Sequence, residues 1–125
     1  MTPLGAKLRQ LRKEKNITLK QMADGLDVSS AYLSALEHGK RGKPSWPMIQ
    51  RIIAYFNVIW DEAEELQRLA EVSDPRAVVD TAGLDPKATR FANELSRNIV
   101  RLNVTTVEEM DRIMKSDPNF SETRE

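Results

Sequence analysis

The sequence predicts an all-α protein of 125 residues, with a compact N-terminal helical domain followed by a two-helix C-terminal region. Three observations predict it. Apolar residues recur at spacings of three and four along most of the chain. The periodic segments open at Ser, Thr or Asp and close at Asn or Gly, the residue types that cap helices. Hydrophobic residues make up 40% of the chain, enough for a modest core, and there is no cysteine to staple a smaller one.

Leu4, Leu8 and Leu11 fall at i, i+4 and i+7, which places a first helix at about 4–15, stopped by Asn16. The run Thr18-Leu19-Lys20-Gln21 has the form of a capping box and opens a short second helix whose apolar face is Leu19, Met22, Ala23 and Leu26. Asp27 tolerates a positive φ, and Ser29 caps a third helix that runs through Leu33 and Leu36 to Gly39. A basic loop follows at 39–44 (GKRGKP). Ser45 then caps a fourth helix with Pro47 in its first turn, and Met48, Ile49, Ile52, Ile53 and Phe56 give it a wide apolar stripe. Asn57 ends it. An acidic fifth helix spans about 61–71 through Ala63, Leu66, Leu69 and Ala70.

Residues 73–85 hold Pro75 and Gly83 without helical period and read as a linker, with an extended piece at 77–80. Asp85-Pro86 is a cap followed by Pro at the first helical position, which starts a sixth helix. A second capping box at Thr106-Val107-Glu108-Glu109 starts the last, carrying Val107, Met110, Ile113 and Met114. Residues 117–125 read as a flexible tail.

Charge is informative only when divided. The chain carries 19 basic and 19 acidic residues, a net charge of zero. Residues 1–60 hold ten basic and four acidic residues, an excess of +6, and residues 61–125 hold nine basic and fifteen acidic ones, an excess of −6. Such asymmetry suggests that one half faces a polyanion and the other has a different task. The N-terminus lacks an apolar stretch, and the longest apolar run is 52–56 (IIAYF), far below the ~20 residues of a spanning helix. A soluble, cytoplasmic protein is expected.

The second and third helices joined through Leu26-Asp27-Val28 form a helix-turn-helix pattern, locked by Met22, Ala23, Leu26, Val28, Leu33 and Leu36. Together with 8–14 (LRQLRKE), 17–23 (ITLKQMA), 26–39 (LDVSSAYLSALEHG), 40–45 (KRGKPS) and the isoleucine-rich fourth helix, this segment resembles the Cro/phage-repressor (Xre-type) helix-turn-helix regulators. The resemblance covers about residues 4–72. It implies a five-helix, lambda-repressor-like DNA-binding domain over 1–72 whose third helix enters the major groove. It places Ser29, Ser30, Ala31, Ser34 and Ala35 at the base edges, with His38 near the helix end, and makes Arg12 and Glu37 a structural ion pair. Leu19 and Asp27 depart from the family, which commonly has Gln and Gly at these positions.

The groove-facing residues are small and include no Arg, Asn or Gln able to pair bidentately with a base. Specificity is therefore expected to draw on Tyr32, Lys40, Arg41 and Lys43 and on DNA shape, with Lys20 and the loop cations meeting phosphates.

Nothing supports catalysis. His38 is the single histidine and shares a helix with Ser34, and the loop lacks the spacing of a nucleotide-binding loop. No metal or cofactor is expected. In the C-terminal region, 86–116, the stripe Ala88, Ala92, Leu95, Ile99 and Leu102, with Phe91 beside it, either packs on the N-terminal domain or pairs with a second chain. Two helices build no core alone, and two half-sites strengthen DNA binding, so dimerisation is favoured. An acidic region would also lie away from phosphates. The expected function is a transcriptional regulator, as a repressor or autoregulator of phage or mobile-element type, acting as a homodimer on an inverted repeat. The alternative is an antitoxin-like autoregulator whose acidic half binds a partner such as a toxin; polymerase is the corresponding partner for an activator.

Overall fold

The computed structural model describes residues 1–122 and contains only helices among them: α1 (Pro3–Lys15), α2 (Leu19–Leu26), α3 (Ser30–His38), α4 (Trp46–Phe56), α5 (Asp61–Glu71), α6 (Pro86–Asn98), a 3-10 turn (Ile99–Arg101) and α7 (Val104–Lys115). The chain divides into two units, Met1–Ala77 and Val78–Glu125. None of the described helices is long and apolar enough to cross a membrane.

In the first unit, local chemistry sets the helix ends. Thr2 caps α1 by accepting from Gly5 N, Thr18 and Gln21 close a reciprocal capping box on α2, and Ser29 and Ser45 cap α3 and α4. At the other ends, Asn16, Asp27 and Asn57 adopt the left-handed conformation (φ 56°, 57° and 55°), which short polar side chains tolerate better than most. Gly39 takes the same role after α3, at φ 80°.

The predicted apolar stripes meet in one core. Leu4, Leu8 and Leu11 of α1, Met22, Ala23 and Leu26 of α2, Leu33 and Leu36 of α3, Ile49, Ile52 and Phe56 of α4, and Leu66 and Ala70 of α5 are all buried. This unit extends beyond the expected boundary at 72. Ser73 is buried and accepts from Leu4 N (2.9 Å), and Pro75 approaches Gly39.

Two glycines permit close approach. A Cβ on Gly5 would collide with the backbone of Glu37, so α1 passes directly over the end of α3, and Thr2 N donates to the Glu37 carbonyl there (3.0 Å). A Cβ on Gly25 would strike the ring of Tyr55 from α4. Trp60, by contrast, is a bulky residue at φ 54°, an uncommon conformation, and supplies no side-chain cap to α5.

In the second unit none of the described residues of α6, the 3-10 turn or α7 is buried. Asp85 caps α6 as expected, accepting from Lys87 N (2.8 Å). The stripe of 88–102 is not one continuous helical face. Regular helix stops at Asn98, whose side chain donates to Glu94 O (2.7 Å), and the β-branched Ile99 and Val100 follow in the tighter 3-10 turn. Ile99 still donates its N–H to Leu95 O, so Leu102, beyond the turn, is the residue that leaves the α6 register carried by Ala88, Phe91, Ala92 and Leu95.

The start of α7 is also corrected. Asn103, not Thr106, caps it, accepting from Thr105 N (2.8 Å), and its carbonyl accepts from Val107 N (3.1 Å). Thr106 is interior, because the earlier cap lets the helix propagate through 104–106. No strand forms at 77–80. Asp117 opens a hydrogen-bonded turn, with Phe120 N donating to its carbonyl (3.0 Å); the last part of the expected tail, 123–125, lies outside the described residues.

Candidate nucleic-acid interface

The α2–turn–α3 segment is held by three kinds of contact. The turn closes on its own backbone, with Asp27 N donating to Asp24 O (3.1 Å) and Val28 N to Ala23 O (3.0 Å). Beneath it Leu26, Leu33 and Leu36 are buried and the half-buried Val28 packs on the same core. From α4, the Arg51 guanidinium donates to Leu26 O, supplying a partner at a helix end where intrahelical donors run out. Arg51 escaped the sequence analysis because its partner is a backbone carbonyl 25 positions away, which no residue pattern encodes.

Arg12 and Glu37 form an ion pair between α1 and α3, with side chains only 10% and 2% exposed. Arg12 also lies 3.9 Å from Met22 Sδ. The pair ties three helices together from the inside, and its burial withdraws both groups from solvent.

On the outer side of α3, Ala31 and His38 are exposed, and Ser30, Tyr32, Ser34 and Ala35 are partly exposed. Ser29 is exposed but its Oγ is engaged as a cap, accepting from Tyr32 N (3.0 Å). His38 Nδ1 lies 2.8 Å from Ser34 O. A carbonyl only accepts, so Nδ1 carries the proton and Nε2 is the neutral ring's acceptor. The exposed strip is thus made of hydroxyls and methyls with one imidazole.

The loop after α3 is fixed at both ends. Gly39 and Gly42 take positive φ (80° and 73°), and Pro44 is buried. Within it Arg41 stands over the Tyr32 ring, Cζ 5.1 Å from the centroid, which joins the loop's guanidinium to the exposed strip of α3. Lys40 is exposed. Lys43 differs from the other loop cations, because its Nζ pairs with Glu71 at the end of α5 (3.0 Å). Lys20 is 4.0 Å from Asp24 with both side chains over 70% exposed, a pair too well solvated to restrain it.

The charge division is corrected by the packing. The acidic helix α5 packs on α1 and α4 inside the first unit. That unit carries twelve basic and ten acidic residues, a net +2, and the second carries seven and nine, a net −2. The polarity seen in the sequence is therefore mainly a polarity within one folded unit. Nine of its twelve basic residues lie on α1, α2 and the loop, and Asp61, Glu62, Glu64, Glu65 and Glu71 lie on α5.

Residues 3–69 match the model of the helix-turn-helix domain family. The chain belongs to that family. Among HTH-type transcriptional regulators it is similar to RghRB of Bacillus subtilis, 38% identical over 61 residues, which is 49% of this chain and 44% of that protein. It is also similar to the transcriptional activator BcrR of Enterococcus faecalis, 42% identical over 71 residues (54% of this chain, 34% of that protein). With the transcriptional repressor RghR of Bacillus subtilis it shares 32% identity over 82 residues, 65% of this chain and 61% of that protein. The chain thus spans between about a third and three fifths of the length of these relatives. No solved structure matches it.

Proposed function

We propose that the protein is a non-enzymatic, DNA-binding transcriptional regulator that places α3 in the major groove. One observation carries the reading: the basic loop is joined to the exposed strip of the recognition helix through Arg41 and Tyr32. A long cation beside a strip of hydroxyls and methyls combines phosphate attraction with groove contact. Ser30, Ser34 and His38 offer hydrogen bonds to base edges, and Ala31 and Ala35 offer methyl contact to thymine. Ser29 contributes chiefly through its cap. Lys20, Lys40 and Arg41 supply phosphate contacts, with Lys43 held partly in reserve by Glu71.

The regulator acts as a homodimer on an inverted repeat. Support comes from the second unit, where Phe91 (55% exposed) and Ile99 (53%) lie open and no residue of the described helices is buried. Such helices need a partner surface, and a second copy of the α6 face of Ala88, Phe91, Ala92, Leu95 and Ile99 offers a matching one, with Leu102 beside it beyond the turn. Relatives include both an activator and a repressor, and repression by promoter occlusion is the simpler action for an HTH dimer.

Selection of bound sequences from a random duplex pool, followed by mass measurement of the complex, tests the reading. Two chains on a symmetric site are expected. Failure to enrich any sequence overturns sequence-specific binding, and one chain per duplex overturns the dimer.

A further inference from the structure

Trp46 is one of five large apolar side chains that the first unit leaves exposed, with Met1, Ile59, Trp60 and Val72. On the same helix Met48, Ile49, Ile52 and Phe56 are buried and Ile53 and Tyr55 partly so, whereas Trp46 is 63% exposed. It contributes little to the core.

Its place is rigid. Ser45 caps the helix by accepting from Met48 N (3.3 Å), Ile49 N donates to Ser45 O (3.0 Å), and Pro44 and Met48 are buried on either side. An indole so mounted loses little freedom on binding, since only its two side-chain torsions remain to be ordered.

The chain that leads into it is cationic. Trp46 directly follows the loop of Lys40, Arg41 and Lys43, and Arg41 is held against Tyr32 of α3. Within the first unit, the carboxylate paired with a cation of this loop is Glu71, on Lys43. The other exposed tryptophan, Trp60, has opposite company: Asp61, Glu62 and Glu64 in the first turn of α5. A polyanion is therefore attracted to the first tryptophan and repelled from the second.

We infer that Trp46 is a DNA-backbone contact, its ring lying on the deoxyribose edge of the strand whose phosphates meet Lys40 and Arg41, with the indole N–H available to a phosphate oxygen. Apolar sugar carbons and an acceptor oxygen side by side match an indole, which is apolar over its faces and a donor at one edge. The contact reads no base, so it adds affinity and fixes the angle at which α3 enters the groove. This inference rests on the DNA-binding reading above.

The chain has two tryptophans, so single substitutions isolate each. In full-length Trp60→Phe, random-sequence duplex at low salt is expected to quench and shift Trp46 emission, reversibly with added salt. In Trp46→Phe, the emission of Trp60 is expected to stay unchanged. Trp46→Ala should melt as the parent does, and bind the duplex about fivefold more weakly with an unaltered salt slope, because no charge is lost. Duplex binding detected by anisotropy with silent Trp46 emission, or with Trp46→Ala binding as tightly as the parent, overturns the contact and leaves the DNA-binding reading intact. A Trp46 signal that follows protein concentration without DNA overturns it in favour of self-association. Absence of duplex binding overturns both.

Discussion

Arg12 of α1 and Glu37 of α3 are paired in a site that is closed to water, and the Glu37 backbone carbonyl simultaneously receives Thr2 N and Thr2 Oγ1 (3.0 and 3.2 Å). One residue of α3 thus holds α1 by its side chain and by its main chain. Removing one partner strands a buried charge. Glu37→Ala should cost about 3–5 kcal/mol, whereas the joint Arg12→Met, Glu37→Leu exchange should recover most of that loss. Denaturant unfolding of the three variants checks this, and a double variant no more stable than Glu37→Ala would contradict it.

Gly5 and Gly25 both meet a neighbour where a Cβ would stand, but the neighbours differ. Gly5 faces the Glu37 backbone and Gly25 faces the Tyr55 ring, which can rotate aside. Gly5→Ala should therefore destabilise by about 2–3 kcal/mol and Gly25→Ala by less, on the scale of overpacked cores. Thermal melting of the two variants gives the order.

The loop cations should separate into two kinds. Arg41→Ala is expected to weaken a selected site more than random duplex, since its guanidinium is fixed beside the recognition strip, and to lower the salt slope by about one. Glu71→Gln should tighten binding to random duplex by releasing Lys43 from its 3.0 Å pair. Titrations across salt concentrations measure both. Equal losses on selected and random DNA for Arg41→Ala would reduce Arg41 to a phosphate contact.

Leu95 lies on the half-buried side of α6, in register with Ala88 and Ala92. A glutamate there would carry charge into any face that these residues share with a second chain. Leu95→Glu should sediment as a monomer and bind a half-site as well as the parent, while losing the gain from the full inverted repeat. A variant that stays dimeric would exclude this face as the dimer contact.

On α7, the Arg112 guanidinium holds the Glu109 carboxyl below the usual carboxylate range. The sign follows from the depressed folded-state value: the pair's contribution is present above the pKa of the unfolded chain and is lost as pH falls through the folded one. Glu109 is therefore expected to titrate in NMR at lower pH in the parent than in Arg112→Gln, and equal titration in the two would contradict it.

The local grammar of the first unit was legible from residues a few positions apart. Thr18 with Gln21, Ser29 before α3, Asn16, Asp27 and Gly39 at helix ends, and the apolar spacings of α1 to α5 all act within one or two turns, so a linear pattern contains them. Local grammar failed where two local signals competed. Asn103 and Thr106 are both competent caps, and the earlier one prevails because it adds helical residues. After Asn98, side-chain bonds to helix carbonyls and two β-branched residues outweighed the apolar spacing of Leu102.

By itself, then, the sequence determined the all-α class, the helix-turn-helix unit and the small, hydroxyl-rich character of the outer side of α3. Tertiary structure alone decided which charges are available. It buried Arg12 on Glu37, placed Arg41 on Tyr32, drew Lys43 to Glu71, and packed the acidic helix α5 into the same unit as the basic loop. The physical reason is distance: electrostatic strength depends on separation in space and on burial, and neither is proportional to separation along the chain.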